Sequence, residues 1–365
     1  MIRILFITEQ FNVAGTETFI MNVLRASDWE RFTYDILTFR ERSNKYVEEA
    51  KTLGCNIITL VSRNSSPTRY YTQLNSFFKD NANNYNVVHW CGGNLSSIAP
   101  LYFAWKYKIP IRIVHAHSSS STGIHTKILH LINRRFIPFL CNFLFSCSSF
   151  ASFYFFKSNT ATIIKNGIDI NRYKYDKDLR TMVRLNLGYN DNDIVLGHVG
   201  RFDNNKNQTF LLDILSELLK TNKYFKLLLV GEGETFDIIK AKIKDLELDN
   251  HVMMLGNRKD VNILYQAMDC FVMPSYYEGL PFVLVEAQTA GLPCVISETI
   301  NDDAKIIPMV VKKSLKSGAK QWSDIILELV FKPRDETSNC VVEKGFSILD
   351  TVKYLESVYS QNNSL

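Results

Sequence analysis

Two glutamates eight positions apart, Glu278 and Glu286, bracket the run Gly279-Leu280-Pro281-Phe282-Val283-Leu284-Val285. A Gly-x-Pro turn followed by apolar residues reads as a loop opening onto a buried helix. Glu278 then belongs to the loop and Glu286 lies about one turn or more inside the helix. A carboxylate on an apolar helix needs a hydrogen-bonding partner, because burying it bare is costly. Sugar hydroxyls are natural partners. A helix-capping acid together with a structural acid would show the same spacing. A second cluster, Gly200-Arg201-Phe202 followed by Lys206-Asn207-Gln208, puts two cations on one loop. Such a pair could clamp a diphosphate, the arginine binding it as a fork. A solvated basic loop has the same pattern.

Two further segments carry weaker signals. In Asn12-Val13-Ala14-Gly15-Thr16-Glu17 the glycine allows close backbone approach, and the helix that follows offers its N-terminus to a phosphate. A capped helix start reads the same way, and the dinucleotide G-x-G-x-x-G fingerprint is absent. Arg112-Ile113-Val114-His115-Ala116-His117-Ser118 ends an apolar run with two histidines, which could address a substrate or be structural.

These residues need elements to hold them. Apolar runs of strand length recur at Ile2–Thr8, Tyr34–Phe39, Asn56–Leu60, Val87–His89, Ile111–His115 and Phe143–Ser146. They recur again at Ile194–Gly200, Lys226–Val230, Val252–Leu255, Cys270–Met273 and Pro293–Ile296. Most lack alternation, as strands buried on both faces of a parallel sheet do. Helical patterns at Thr16–Ser27, Thr209–Lys220 and Phe236–Leu246 lie between them. The series starts twice, so the sequence predicts an α/β fold of two Rossmann-like, doubly wound domains facing a central cleft. The expected divisions are 1–168, 169–345 and a terminal helix in 346–365, with the turn Asn166-Gly167 near the boundary.

Composition limits the remaining possibilities. The 365 residues are 46% hydrophobic and 22% charged, which excludes a disordered, coiled-coil or collagen-like chain. Seven scattered cysteines without a CxxC pair signal neither a zinc site nor a disulfide framework and suit a reducing cytoplasm. The opening MIRILFITEQ is too short an apolar run for an export signal. Residues 1–165 hold 18 Lys and Arg against 9 Asp and Glu, and no acid occurs between Asp80 and Asp169. The first half is therefore expected to meet an anionic partner or surface. Nucleic acid is disfavoured for want of a basic helix or an RNA-reading motif. Phe136–Phe156 is free of charge over 21 residues, but Pro138, Asn142 and its serines favour a buried strand and adjoining helix over a membrane span.

Taken together, these motifs resemble the retaining glycosyltransferases of family 4, the group 1 glycosyl transferases of GT-B fold. The resemblance is strongest over Ile194–Ser297, where VGRF, KNQ, LLVGEGE, NHVMMLGNRKDV and EGLPFVLVE follow the family order. AGTET and RIVHAHS look like the branch that builds capsules, exopolysaccharides or O-antigens, with Ala14 where many members carry glycine. The resemblance implies a nucleotide-diphosphate sugar donor, UDP-linked, and a saccharide or lipid-diphosphate-linked acceptor, with no metal and no other cofactor. Arg201 and Lys206 would hold the diphosphate, and Glu286 the ribose. Glu278 would contact the donor sugar beside the backbone of Gly279, Leu280, Phe282 and Val283. His115 would reach the sugar near the reacting carbon. Gly15 and Thr16 would approach the phosphates, with Gly200 and Gly231 in the donor loops and Asn257 and Arg258 against the base. The basic first domain would bind the acceptor, with peripheral attachment to an anionic membrane face. A sugar-nucleotide 2-epimerase of similar fold, and an inactive nucleotide-sugar-binding subunit, are the competing readings.

Overall fold

Among the described residues thirteen segments become strands, and all of them pair in parallel within two separate sheets. The computed structural model describes residues 1–12, 15–40, 45–118, 123–157, 160–278 and 280–361. One compact unit comprises Met1–Gly167 with Ser347–Leu365, and the other comprises Ile168–Phe346.

The first unit contains β1 (Ile2–Ile7), β2 (Phe32–Thr38), β3 (Asn56–Thr59), β4 (Val87–Gly92), β5 (Ile111–Ala116), β6 (Phe143–Ser146) and β7 (Thr162–Ile163). Their order across the sheet is β3-β2-β1-β4-β5-β6-β7. The second unit contains β8 (Ile194–Val199), β9 (Phe225–Val230), β10 (Val252–Met254), β11 (Cys270–Met273), β12 (Cys294–Ser297) and β13 (Val310–Lys313). Their order is β10-β9-β8-β11-β12-β13. In each sheet the order reverses beside the first strand, next to β4 in one and β11 in the other. That reversal opens a crevice at the carboxyl ends of the strands, where ligands of such sheets bind.

The unalternating sequence runs have a direct cause in the second sheet. Val195, Val199, Leu228 and Val230 pack into one core, and Leu196, Leu227 and Leu229 into another. Successive side chains of a strand point to opposite faces, so both faces must be apolar when helices cover both. The two strands that the sequence reading passed over, β7 and β13, each lie at one edge of a sheet, where this demand is weaker.

Phe136–Phe156 forms a 3-10 turn ending at Phe136, the helix Ile137–Leu140, strand β6 and the helix Ser149–Phe156. No described helix is long and apolar enough to cross a membrane. Burial is incomplete, however: Phe145 and Phe155 are inside, whereas Phe139 is 75% and Phe153 64% exposed.

The helix Ile348–Tyr359 belongs to the first unit, packing on the helix Gly15–Ala26, with its Glu356 carboxylate accepting from the Asp28 amide at 2.9 Å. Its start rests on Gly167. A Cβ there would lie 2.8 Å from Ile348 Cα and 2.9 Å from Thr351 Oγ1. Backbone cannot yield as a flexible side chain does, so overpacking at this point is costly. Gly167→Ala is expected to lower the stability of the first unit by about 1–3 kcal/mol, read as a lower denaturant midpoint. An unchanged midpoint would show that the helix is not seated there.

Candidate functional site

The loops that follow β8 and β11 meet where the second sheet reverses its order. Asn205 joins them with three hydrogen bonds: its carbonyl accepts from the Tyr276 amide (2.8 Å), its Oδ1 accepts from the Tyr277 amide (3.0 Å), and its Nδ2 donates to the Tyr277 carbonyl (2.8 Å). Asn207, in the left-handed region at φ 55°, adds a bond from Nδ2 to the Pro274 carbonyl at 3.3 Å. The two loops are thereby fixed edge to edge, and the residues next along each chain are brought together. Lys206 Nζ lies 2.5 Å from Glu278 Oε1, with both side chains mostly withdrawn from water.

Arg201 differs. Its backbone carbonyl is held by Gln208 Nε2 at 2.8 Å, and Gln208 lies against His198. Its guanidinium is exposed and has no ion-pair or hydrogen-bond partner among the described residues. The loop therefore carries one internally neutralised cation and one unneutralised cation with a fork of donors.

Gly200 and Gly231 bring the β8 and β9 loops into contact. Gly231 adopts φ 138°, and a Cβ on it would lie 1.9 Å from the Gly200 carbonyl oxygen. Only glycine fits this approach. The Gly231 amide donates to Gly256 O (2.9 Å), which aligns the Asn257–Arg258 loop. There Asn257 Nδ2 donates to Glu232 Oε2 (2.9 Å), and Arg258 makes a bidentate pair with Asp260 (2.8 and 2.6 Å) that raises the guanidinium's affinity for its proton.

The helix Phe282–Thr289 begins directly after Pro281. Leu284 is the first residue whose amide turns back to Pro281 O, and the Phe282 and Val283 amides have no acceptor among the described residues. These open N–H groups are a helix start's usual attraction for an anion. Leu280 is buried beneath them, and Gly279 lies outside the described residues. One helical turn on, Glu286 is buried, with Oε1 accepting from Tyr173 OH and Oε2 from Tyr265 OH, each at 3.0 Å. Burial pushes its carboxyl pKa up, while the two tyrosines oppose that shift. The Tyr265 hydroxyl is also 3.1 Å from Val283 O, so one hydrogen serves two acceptors. Each Glu286 oxygen keeps a further lone pair for a ligand hydroxyl.

In the first unit the helix Gly15–Ala26 starts beyond β1, with Gly15 exposed and open space on its Cβ side. Thr16 is partly buried, Val13 and Ala14 lie outside the described residues, and Glu17 turns inward to accept from Thr8 Oγ1 at 3.0 Å. His115 lies on the strand itself. It is fully buried on β5, its Nδ1 is 3.2 Å from His89 Nε2, and His89 Nδ1 is 2.7 Å from Tyr359 OH. Its ring meets Phe19 edge-on and stacks on His89, and its Nε2 is buried without a hydrogen-bond partner among the described residues. The histidine past the strand end is His117, partly exposed as a residue, tilted 36° against His115 with ring centroids 4.1 Å apart, and with a buried Nε2 that has no partner among the described residues.

Sequence reasoning missed Asn205, Tyr173, Tyr265 and Tyr359. Only Asn205 left a trace, in the turn-forming run Asp203-Asn204-Asn205 ahead of Lys206.

Residues 182–326 match the family model described as glycosyl transferases group 1. The putative glycosyltransferase EpsF of Bacillus subtilis is 30% identical, over 98% of this chain and 96% of its own length. The Escherichia coli UDP-Gal:alpha-D-GlcNAc-diphosphoundecaprenol alpha-1,3-galactosyltransferase is 26% identical over 54% of this chain and 53% of its own. Among solved structures, Anabaena HepE in complex with UDP superposes with a TM-score of 0.80 at 18% identity, covering 98% of this chain and 100% of the other.

The buried histidines make stability depend on pH. Burial lowers His89 and His115 well below the usual value, His117 to about 3 and His198 to about 4. The unfolded chain then binds more protons below about pH 6.5, so the stabilisation is complete above that value and is lost as pH falls. Each such histidine adds to that loss, because its ring must be charged in the unfolded chain while the fold keeps it neutral. Glu17 and Glu286, both raised by burial, oppose the loss only nearer the carboxylate range. The denaturant midpoint is expected to fall steeply from pH 7.5 to 5.5, and a flat profile would mean that these rings are hydrated.

Proposed function

The chain belongs to the glycosyl transferases group 1, and from that premise we propose that it moves a sugar from a UDP-linked donor to a saccharide or lipid-linked saccharide during assembly of a cell-surface polysaccharide. The observation that carries this reading is the unpaired Arg201 guanidinium beside the Lys206–Glu278 pair, at the strand ends of the second unit. A nucleoside diphosphate leaving a sugar gains negative charge, and fixed cations and amides stabilise that charge in the transition state. Arg201 forks the diphosphate. Lys206 shares its ammonium between Glu278 and a phosphate oxygen, and the open amides of Phe282 and Val283 lie one loop away. Glu278, gripped on one oxygen, presents the other to a sugar hydroxyl. Glu286 takes the ribose hydroxyls on its remaining lone pairs, and the Asn257–Arg258 loop lies against the base.

In the first unit we assign the sugar-facing role to His117, which is partly exposed where His115 is buried, and the Gly15–Thr16 helix start to an anionic group of the ligand. The configuration at the sugar is retained by same-face attack: the acceptor oxygen bonds to the anomeric carbon as the bond to the diphosphate breaks, and the departing phosphate oxygen takes the acceptor's proton. The surplus of cations in residues 1–165 suits a diphosphate-linked acceptor at an anionic membrane face.

The test is transfer from UDP-glucose and related UDP-sugars to an undecaprenyl-diphosphate-linked saccharide. Free UDP is expected only when the acceptor is present. Arg201→Ala and Lys206→Ala are each expected to lower kcat by roughly 10²–10³-fold. Undiminished transfer by Glu278→Ala, or interconversion of UDP-sugars without acceptor, would overturn the reading.

A further inference from the structure

The helix Ile124–Asn133 is built inside out. A helix on a protein surface ordinarily turns its apolar stripe to the core. This one buries His130 and no other of its residues. The His130 ring is locked inward: Nδ1 accepts from the Leu95 amide at 3.0 Å, Nε2 lies 3.0 Å from Tyr154 O, and the ring stacks on Tyr154 with centroids 4.2 Å apart. With the polar ring facing in, the aliphatic side chains face out. At 3.6 residues per turn, Ile124, Ile128, Leu131 and Ile132 share an arc of about 100°, and they are 70%, 50%, 51% and 51% exposed.

The neighbouring elements extend the same surface. Phe136 and Phe139 project from the next turn and the short helix after it, at 51% and 75% exposure. Phe150 and Phe153 lie on the helix that carries Tyr154, at 62% and 64%. Cations are interspersed: Lys127, Arg134, Arg135 and Lys157. Among the described residues none of these four cations forms an ion pair, and no acid occurs between Asp80 and Asp169. Aromatic and aliphatic tips among uncompensated cations have the chemistry of a surface that seats in an anionic bilayer's headgroup layer. A second copy fits poorly, since a two-fold contact would set this acid-free surface against itself.

We propose that the face formed by Ile124–Phe139 and the helix Ser149–Phe156 docks on an anionic lipid bilayer, inserting its isoleucines, leucine and phenylalanines beneath phosphates held by the flanking lysines and arginines. This goes beyond charge attraction alone and rests on the membrane-face part of the proposed function, not on its transfer chemistry.

Flotation of the full chain with phosphatidylglycerol–phosphatidylcholine vesicles tests it. Binding is expected at low salt, with a substantial fraction persisting in 0.5 M NaCl, a concentration at which screening acts over only a few ångström, on the order of 3–8 Å. The triple variant Ile128→Ser, Leu131→Ser, Phe139→Ser should bind at least about tenfold more weakly at both salt levels. The variant Lys127→Gln, Arg135→Gln should lose the preference for phosphatidylglycerol over pure phosphatidylcholine. Unchanged thermal midpoint and UDP binding certify that the variants are folded. Undiminished vesicle binding by the triple variant, no binding by the unaltered chain, or a dimer that the triple variant dissociates would each overturn the proposal. Absence of UDP transfer with intact vesicle binding would instead count against the transferase assignment.

Discussion

Asn205 is the constraint on which the second unit's chemistry depends. Its three hydrogen bonds to the Tyr276–Tyr277 backbone join two loops separated by more than 70 positions in the chain. Because each partner directly follows the clamp in its loop, Lys206 and Glu278 have little choice but to meet. The ion pair is thus a consequence of backbone geometry, and neither long side chain must be ordered by the pair itself, a cost that makes most surface pairs nearly worthless. Glycines at 200 and 231 permit the third loop to close on the first.

That arrangement divides the site's charges by role. Lys206 is neutralised within the protein, which keeps a mostly buried cation soluble in its surroundings. Arg201 is left unneutralised at the surface of the same loop. In the proposed reading an anion would meet a fork of donors there with no competing carboxylate, and the open amides of Phe282 and Val283 begin the helix that follows Glu278. Glu286 stands behind them, oriented by two tyrosines that also limit how many further hydrogen bonds it can accept.

Much of this was legible in the sequence, for identifiable reasons. The doubly wound sheets follow from apolar runs that must satisfy cores on both faces, and the loops that carry Arg201, Lys206 and Glu278 follow from where those runs stop. The clamp was not legible, because nothing local to Asn205 says which distant backbone it will meet. Nor was the difference between His115 and His117. Both lie on one face by the period of two and both pack on Phe19, and the contact that sets His115 apart, through His89 to Tyr359 near the far end of the chain, is not local. The apolar stretch beyond Arg134 misled in another way: hydropathy was read as burial, and Phe139 and Phe153 are on the outside.

The central claim is that the loop fixed by Asn205 presents Arg201 to a diphosphate. It is tested most directly by calorimetric titration of UDP and of uridine into the unaltered chain and into Arg201→Ala. The account requires UDP to bind far more tightly than uridine, and that preference to shrink at least about tenfold in the variant, corresponding to about 1.4 kcal/mol of charge-assisted hydrogen bonding, with uridine affinity unchanged. An equal preference in both proteins would contradict it.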